Sequence, residues 1–469
     1  MKNELAELSI TEAGKKLADK EISAVELAEA CLANIEKKNP SLNAYLEVFG
    51  DVKKQAEAAD IRRAGAERNE VHPLLGIPLG VKDNILIKGR RASAASRMLE
   101  NYVASYDSTV ASKLKDAGAV FLGRTNMDEF ALGGSTENSA FGVTKNPHDP
   151  SRVAGGTSGG SAAAVAAHMT LGALGSDTGG SVRNPASFCG VVGLKSTYGA
   201  VSRSGLIAAV SSFDQVGPIT KTVADAELLF NTIRGKDALD STCIERSPTR
   251  PAKKKIAVLR SLTAGVEPVT MGHFENALKT LRSAGYEIED IELPSHALAL
   301  PAYYIINFAE VSTNLARFDG VRYGLSLHGE DLLGDYAASR GAGFGSETRR
   351  RIMLGTYVLS AGYYDAYYRR ALATRDLLVA DFANAFNQVA AVVTPTTPTT
   401  AFALGEKTTD PLQMYLADVF TVPANVAGLP ALSVPNGVDK SGLPFGFQFV
   451  APHFREDLLF QLGKQHANL

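Results

Sequence analysis

The sequence predicts an α/β protein, because segments of helical character alternate along the chain with short apolar segments of strand character. Residues 107–118 have the pattern of a helix and run directly into the strand-like sequence Ala-Val-Phe-Leu-Gly at 119–123. Residues 158–168 likewise predict a helix, and a buried strand predicted at 171–175 follows it closely. A third unit, at 256–293, combines a strand, a helix and a strand.

A helix start signal supports this interpretation near the beginning of the chain. Ser23 and Glu26 form a Ser-x-x-Glu capping box, whose two side chains bind free N–H groups at a helix start. A second helix is predicted in the alanine-, glutamate- and arginine-rich segment 53–68. Apolar side chains at helical spacing indicate the buried face of the first helix: Leu27, Cys31 and Ile35.

A proline- and lysine-rich segment at 248–255 is the strongest predicted boundary in the chain. The βαβ-like unit after it consists of a strand at 256–259, a helix at 272–284 and a strand at 286–293. We expect one enzyme domain with helical insertions at its periphery. The elements predicted beyond the unit are long helical segments at 303–318 and 347–386 and a short strand at 391–393.

The composition is that of an ordinary globular protein, with 45% hydrophobic and 21% charged residues among 469. The net charge of −2 gives no basic surplus that would hold nucleic acid phosphates. Three widely spaced cysteines argue for a reducing compartment and against a disulfide framework. The cysteines and histidines do not have the spacing of a zinc site. The sequence also lacks the apolar core of a signal peptide and an apolar stretch long enough to cross a membrane. We therefore expect a cytoplasmic protein without a metal site.

The most informative segment is a run of glycine, serine and threonine between Ala154 and Tyr198. Small residues let backbone approach backbone, and let N–H groups point at a ligand without side chains in the way. The consecutive N–H groups of Thr178, Gly179 and Gly180 are therefore candidate donors to an oxyanion. The hydroxyl groups of the run make it the expected place of the chemistry: Thr157, Ser158, Ser161, Thr178 and Ser181.

A serine hydroxyl needs a base before it becomes a good nucleophile. His168 is the only histidine in the run and lies in a predicted helix, whereas Lys82 ends a short apolar strand-like segment. Burial there would disfavour the ammonium form and lower the pKa of the lysine toward a value useful for proton transfer. An isolated lysine at a strand end is more often an ordinary surface residue. The Ser/Gly run downstream is what favours the catalytic interpretation of Lys82.

Three segments together resemble the amidase signature family: Gly80-Val-Lys-Asp, Gly155-Gly-Thr-Ser-Gly-Gly-Ser and Asp177-Thr-Gly-Gly-Ser-Val-Arg. They occur in the family's order and at compatible spacing. This family hydrolyses amides with a Ser–Ser–Lys triad, so the resemblance implies that Ser181 is the nucleophile and Lys82 the terminal base. It also implies the amidase signature fold, a mixed central β-sheet covered by helices on both faces. The expected single domain spans 1–469, with a signature core at about 70–225 and insertions at about 250–390.

The relay position departs from the family's pattern. It lies 24 residues before the nucleophile, and 181 − 24 = 157 is a threonine here, where the family usually has serine. A threonine hydroxyl can both donate and accept a proton, although the extra methyl group restricts its rotamers. In the family this residue follows a cis peptide bond. We assign the relay to Thr157 and keep its neighbour Ser158 as the alternative.

Further segments are similar to one branch of the family, the glutamine-hydrolysing subunits of bacterial tRNA-dependent amidotransferases. This similarity implies that the chain hydrolyses glutamine and supplies ammonia to a B subunit, which uses ATP and Mg²⁺ to convert Glu-tRNA(Gln) to Gln-tRNA(Gln). A small C subunit braces the other two. It implies no cofactor on this chain and leaves open whether Asp-tRNA(Asn) is also a substrate. The similar segments are 107–110, 126–132, 135–142, 316–324, 350–357, 362–368, 414–418 and 425–430.

A glutamine substrate needs a cation for its α-carboxylate and an anion for its α-ammonium group. Arg351 and Asp418 match the family positions for these two functions, and a guanidinium can hold a carboxylate through two hydrogen bonds. Tyr303 matches a family tyrosine that hydrogen-bonds the substrate. From the residues alone, Arg351 could be a solvated helix charge, Asp418 a helix cap and Tyr303 a core residue.

Two other classes of function compete with this interpretation. Gly156-Thr-Ser-Gly-Gly fits the G-x-S-x-G nucleophile elbow of α/β-hydrolases, which makes Ser158 the nucleophile and requires a later histidine. The glycine loop before the helix at 158 could instead bind a phosphate or a nucleotide, although no P-loop pattern is present. Within the resembled family, a stand-alone amidase acting on a small amide is the alternative to a member of a complex.

Overall fold

An eleven-stranded mixed β-sheet organises the part of the chain that the computed structural model describes, residues 3–67, 71–246, 254–263 and 265–467. Across the sheet the strand order is β1-β3-β2-β4-β6-β5-β10-β11-β9-β7-β8. The strands are β1 (Tyr45–Val48), β2 (Pro78–Lys82), β3 (Val120–Thr125), β4 (Gly172–Asp177), β5 (Val192–Lys195), β6 (Gln215–Thr220), β7 (Lys255–Val258), β8 (Glu287–Asp290), β9 (Ala391–Pro395), β10 (Ala431–Val438) and β11 (Pro444–Val450).

Two groups of parallel strands lie on either side of a central antiparallel region, and the edge strand β1 pairs antiparallel with β3. β3, β2 and β4 are mutually parallel near one edge, and β9, β7 and β8 are parallel at the other. The predicted strands at 256–259 and 286–293 are β7 and β8, and they join the common sheet through β9. The predicted α/β class with a mixed sheet is confirmed.

Helices cover both faces of the sheet, as predicted. Successive residues of a strand point to opposite faces, and in β10 the side chain of Leu432 packs on Gly463 while Ser433 lies with Ser187 around Gly446. No helix in the described ranges has both the length and the apolar content of a membrane span. The helices are α1 (Ile10–Ala18), α2 (Ala24–Leu42), α3 (Val52–Ala64), α4 (Thr109–Asp116), α5 (Gly159–Ala166), α6 (Arg183–Cys189), α7 (Val223–Ile233), α8 (Pro268–Ser283), α9 (Ala299–Asn314), α10 (Leu332–Gly343), α11 (Ser346–Leu359), α12 (Arg370–Phe386), α13 (Pro411–Leu416), α14 (Val422–Val426) and α15 (Glu456–Ala467).

The predicted capping box opens α2. Ser23 Oγ accepts a hydrogen bond from the N–H of Glu26 at 3.1 Å, and Glu26 Oε2 accepts one from the N–H of Ser23 at 2.8 Å. The two reciprocal bonds satisfy donors that would otherwise have no partner at the helix start. The apolar face predicted for this helix is buried, as the exposure of Leu27, Cys31 and Ile35 shows.

Two predicted helices were wrong in their extent. The segment 347–386 is not continuous, because α11 ends at Leu359 and a π-helical turn at Tyr364–Arg369 precedes α12. Gly362 in the gap has a φ of +88°, a conformation that favours glycine. The helix predicted to begin at 272 begins at Pro268, because proline is tolerated in the first helical turn. The predicted boundary falls mostly at 248–253, outside the described residues, as does Arg68 of the second predicted helix.

The sheet brings two chemically important strand ends together. β2 and β4 are parallel neighbours, with Val81 opposite Leu174, so their carboxyl ends meet at the same edge. Lys82 is the last residue of β2, and Ser176 and Asp177 are the last residues of β4. Both strands are buried along their whole length, and so is the start of α5. Polar groups at this edge are therefore enclosed by protein.

The close packing of the central strands can be tested at a glycine. A methyl group built on Gly217 in β6 would lie 2.0 Å from the carbonyl oxygen of Leu194 in β5. Gly217→Ala should therefore lower the free energy of unfolding by about 1–3 kcal/mol, as overpacked interiors do. Urea unfolding followed by circular dichroism measures the change.

Gly272→Ala in α8 is the matched control, because nothing lies within 4 Å of the added methyl group. Alanine favours a helix over glycine by up to about 1 kcal/mol, so this variant should be as stable as the wild type or more stable. If Gly217→Ala has the same free energy of unfolding as the wild type, the result would contradict the close approach of β5 and β6.

Candidate active site

Lys82 lies at the centre of the site, with no exposed surface. Its Nζ is 2.7 Å from Thr157 Oγ1, 2.8 Å from Ser158 Oγ and 3.2 Å from the carbonyl oxygen of Ser176. Burial lowers the pKa of Lys82 to about 7, because the ammonium form loses its hydration there. The neutral and the protonated form are therefore both accessible near neutral pH, which suits a general base.

Thr157 and Ser158 both contact Lys82 but differ in their other partners. The peptide bond between Gly156 and Thr157 is cis. Ser158 Oγ donates to the carbonyl oxygen of Ser176 at 3.2 Å and accepts from the N–H of the same residue at 3.3 Å. Thr157 Oγ1 has Lys82 as its only hydrogen-bond partner among the described residues. The Thr157 hydroxyl is thus free to exchange a proton with a further group, whereas Ser158 is tied to the backbone of β4.

Ser181 lies in the turn between β4 and α6, next to the Thr157–Ser158 segment. Its carbonyl oxygen accepts a hydrogen bond from the N–H of Ser158 at 3.1 Å. Its side chain is 7% exposed, whereas Lys82, Thr157 and Ser158 are fully enclosed. Within the described residues the Ser181 hydroxyl has no hydrogen-bond partner, so it is the hydroxyl of this group that an incoming substrate can reach.

The backbone of the same turn provides N–H groups for an oxyanion, but not all those predicted. The N–H of Gly180 donates to Asp177 Oδ1 at 2.9 Å, because the aspartate side chain folds back over the turn. The prediction of Gly180 as a donor therefore needs correction. The N–H groups of Thr178, Gly179 and Ser181 have no acceptor in the described chain and remain available.

A buried ion pair holds this turn, and neither of its residues was predicted. Arg183 Nε and Nη2 each lie 3.0 Å from a carboxylate oxygen of Asp177, and neither residue is exposed. Burial alone would raise the pKa of Asp177, but the Arg183 guanidinium lowers it to about 2. The available signal was two lone charges, four residues before and two residues after Ser181, in a run of small residues.

Two more buried carboxyl groups act on the site, and neither was predicted. The Asp128 carboxylate accepts hydrogen bonds from the N–H groups of Thr136 at 2.8 Å and Asn138 at 3.0 Å. The Asp214 carboxylate accepts one from the hydroxyl of Thr178 at 2.7 Å. Burial raises the pKa of both Asp128 and Asp214 to about 6. Their negative charges counteract the effect of burial on Lys82. Isolated acidic residues in predicted loops carry no sequence pattern that distinguishes them from surface residues.

Tyr303 connects the glycine turn to the helices on one side of the site. A methyl group on Gly179 would lie 2.4 Å from the Tyr303 hydroxyl oxygen, so only glycine allows this approach. Asn307, one helical turn along α9, donates to that hydroxyl at 3.3 Å and accepts from Arg351 Nη1 at 3.1 Å. The ring of Tyr303 stacks on Phe213 with centroids 5.4 Å apart, so this residue belongs both to the core and to the site.

Arg351 is buried in α11, which rules out the interpretation of a solvated helix charge. It is 3% exposed, its Nε lies 2.8 Å from Glu347 Oε1, and its guanidinium lies over the rings of Tyr304 and Tyr415 at 5.6 and 5.5 Å. Although burial opposes the charged form, Glu347 raises the pKa of Arg351 above its ordinary value. Glu347 was not predicted, although it stands four residues before Arg351 at helical pairing distance.

Asp418 lies on the other side of the glycine turn. A methyl group on Gly180 would be 3.2 Å from Asp418 Oδ1, to which Asn184 Nδ2 donates at 3.5 Å. Burial and the charge of Asp177 raise the pKa of Asp418 to about 8. The carboxyl group is therefore mostly protonated at neutral pH, and a bound ammonium group would favour its ionised form. Arg351 and Asp418 thus place a guanidinium and a carboxyl group near the same turn.

The two rival interpretations of the glycine loop do not fit these contacts. The N–H groups of Ser158, Gly159 and Gly160 are bonded to acceptors of the protein and are not free for a phosphate. None of the histidines hydrogen-bonds Ser158 in the described chain, so the arrangement of an α/β-hydrolase is not formed. The described residues also contain no group of three or more His, Cys, Asp or Glu side chains that could hold a metal ion.

Comparisons with known proteins agree with the motifs. The amidase family profile matches residues 26–460. The glutamyl-tRNA(Gln) amidotransferase A subunit of Thermosynechococcus vestitus is 51% identical over 97% of this chain and 96% of the relative, and that of Roseiflexus sp. is 49% identical over 99% and 97%. The crystal structure of the corresponding A subunit from Thermotoga maritima matches with a TM-score of 0.82 at 42% identity, over 98% of this chain and 94% of that one. The profile match and the extent of these similarities show that the chain belongs to the amidase family.

Proposed function

We propose that this chain is the glutamine-hydrolysing A subunit of a glutamyl-tRNA(Gln) amidotransferase. The observation that carries the proposal is a buried guanidinium and a buried carboxyl group, Arg351 and Asp418, near the turn that bears Ser181; a bound ammonium group would ionise the carboxyl group. A free amino acid presents a carboxylate and an ammonium group on one carbon, and these two residues match both charges. The names of relatives about 50% identical over nearly the whole chain support the same function.

In the proposed acylation step, Ser181 Oγ attacks the side-chain amide carbon of glutamine. Its proton moves to Thr157 Oγ1, and the Thr157 proton moves to the neutral Nζ of Lys82. The oxyanion that forms accepts hydrogen bonds from the N–H groups of Thr178 and Gly179, and one such donor lowers the barrier by about 3–4 kcal/mol. As the carbon–nitrogen bond breaks, the proton returns through Thr157 to the nitrogen, and ammonia leaves.

The γ-glutamyl ester on Ser181 is then hydrolysed by water, which gives its proton along the same path. Glutamate leaves and the Ser181 hydroxyl is restored. The chain itself needs no cofactor for these steps. Ammonia passes to a B subunit, which uses ATP and Mg²⁺ to amidate Glu-tRNA(Gln), a C subunit stabilises the complex, and the assembly is cytoplasmic.

The first test replaces the nucleophile. Ser181→Ala should abolish glutamine hydrolysis, because no other serine or threonine among the described site residues is as exposed to the substrate. Amidation of Glu-tRNA(Gln) by the assembled complex should continue when ammonium is supplied, since that step does not use Ser181. Ammonia release and aminoacyl-tRNA analysis measure the two activities.

Retained glutaminase activity in a clean Ser181→Ala preparation would contradict the assignment of the nucleophile. A different result would favour the stand-alone amidase: the wild-type protein hydrolyses small amides but releases no ammonia from glutamine, with or without B and C subunits.

The second test separates the two candidate relays. If Thr157 passes the proton, Thr157→Ser keeps the hydroxyl and should stay within about tenfold of the wild-type rate, whereas Thr157→Val keeps the shape and should be nearly inactive. Ser158→Ala removes a bond to Lys82 and should reduce the rate less than Thr157→Val. Steady-state ammonia release ranks the variants by rate, and a melting curve checks that each variant is folded. An active Thr157→Val with an inactive Ser158→Ala would assign the relay to Ser158.

The third test concerns pH. The proposed base works in its neutral form and Asp418 binds an ammonium group in its ionised form, so kcat/KM for glutamine should rise with pH as Lys82 loses its proton near 7 and level off only above about 8. Ionisation of an ammonium group absorbs much heat and that of a carboxylic acid little. The pH of the Lys82 midpoint should therefore fall as temperature rises, which distinguishes it from the carboxyl groups of Asp128, Asp214 and Asp418.

Lys195→Met is the matched control for this pH profile. Burial lowers the pKa of Lys195 to about 7 as well, but its Nζ donates to the carbonyl oxygens of Ser196 and Leu429 and does not reach the hydroxyl groups of the site. The midpoint should persist in Lys195→Met. A midpoint that disappears in this variant, or one that does not move with temperature, would argue against Lys82 as the base.

A further inference from the structure

A group of large side chains lies exposed where α11 ends. Met353, Leu354 and Tyr357 on α11 are 72, 38 and 47% exposed, and Tyr363 and Tyr367 after the helix are 41 and 40% exposed. We call these five residues the tyrosine patch. Exposed apolar residues are common singly, but a contiguous group of this size usually marks an interaction site.

The five side chains form one continuous surface. Met353, Leu354 and Tyr357 stand at the spacing that places residues on one face of a helix. The ring of Tyr357 lies 4.3 Å from that of Tyr363 and 6.3 Å from that of Tyr367, and the latter two stack 6.1 Å apart. Tyrosine and methionine are enriched in protein interfaces, because they bury much apolar surface while the hydroxyl finds a polar partner.

The margin of the tyrosine patch is basic. Arg349 and Arg350 precede it by one helical turn, and Arg369 and Arg370 follow Tyr367. Asp365, 3.1 Å from Arg369, is the one acidic residue among 363–370, and Glu347 pairs with Arg350. Arginine at the edge of an apolar centre is typical of an interface whose partner carries carboxylates at the matching positions.

The reverse side of α11 faces the active site. Arg351 and Glu347 are buried and contact Asn307 and Tyr415 there, whereas Met353 and Tyr357 are on the exposed side. A protein bound to the tyrosine patch would therefore be separated from the substrate-binding arginine by the thickness of one helix.

From these contacts we infer that the tyrosine patch is the docking surface for another subunit of the amidotransferase, one with an apolar centre and an acidic margin. The inference rests on the proposed function, because it needs the chain to work within a complex. A second copy of this chain fits less well. Two-fold pairing through the patch would bring the arginine margins of both copies together, and like charges in contact oppose association.

The test measures binding of this chain to the B and C subunits encoded in the same genome, purified together, by sedimentation and calorimetry. Met353→Glu and the double variant Tyr363→Ala/Tyr367→Ala should each weaken binding at least tenfold. Ile61→Glu is the matched control, because Ile61 is an equally apolar helix residue with 75% exposure on α3. All variants should remain folded and keep the basal hydrolysis of glutamine, since the replaced side chains are partly or largely exposed and lie away from Lys82, Thr157 and Ser181; only the double tyrosine variant loses ring contacts and should melt slightly lower.

The outcomes separate the two proposals. A wild-type complex that the patch variants weaken and Ile61→Glu does not supports the docking surface. A wild-type complex that all variants form with equal affinity overturns the docking surface and leaves the proposed function intact. No complex with the wild type overturns both, and a self-associated chain that Met353→Glu makes monomeric assigns the patch to a second copy instead.

Discussion

The site depends on one physical constraint, the enclosure of the Lys82 amine by the carboxyl ends of two parallel strands. An ammonium group loses hydration worth several kcal/mol in such a place, which is why the pKa of Lys82 falls to about 7. The surrounding groups moderate this effect without cancelling it. Two hydroxyl oxygens and one carbonyl oxygen surround Nζ within 3.2 Å, and no carboxylate of the described chain bonds to it directly.

The buried ionisable groups around Lys82 are of two kinds: some form ion pairs that hold the backbone of the site in place, and others are positioned to bind a substrate. Asp177 and Arg183 satisfy each other and hold the turn of Ser181, so this pair is a structural element of the site. Arg351 is held by Glu347 at one nitrogen and by Asn307 at another. Among the described residues the Asp418 carboxyl group has only a long hydrogen bond from Asn184, and burial and the charge of Asp177 raise its pKa to about 8. The carboxylate and ammonium groups of an amino acid substrate would pair with Arg351 and Asp418. The electrostatics of the site therefore agree with the proposed specificity.

Helix α11 joins two surfaces that the chain keeps apart. Its buried face carries the arginine proposed to bind the substrate carboxylate, and its exposed face carries the apolar residues proposed to dock a partner. The interruption at Gly362 turns the chain so that Tyr363 and Tyr367 fold back onto Tyr357. A continuous helix through this segment would have carried those two rings away along its axis, at 1.5 Å per residue.

The α/β class, most helices and strands, and the importance of the glycine, serine and threonine run could be predicted from the sequence, because periodicity and small-residue composition are local properties. Lys82 and Ser181, which lie 99 positions apart (181 − 82), could also be predicted, because each belongs to a short motif and the motifs occur in the order that the family has. That Thr157 Oγ1 has no hydrogen-bond partner besides Lys82 among the described residues, and that Asp177 accepts the N–H of Gly180, became visible only in the folded chain. The tertiary structure alone brought Asp128, Asp214 and Glu347 to the site. Hydrogen-bond partners and burial depend on contacts between distant segments, and these arise only when parallel strand ends and helix starts meet at one edge of the sheet.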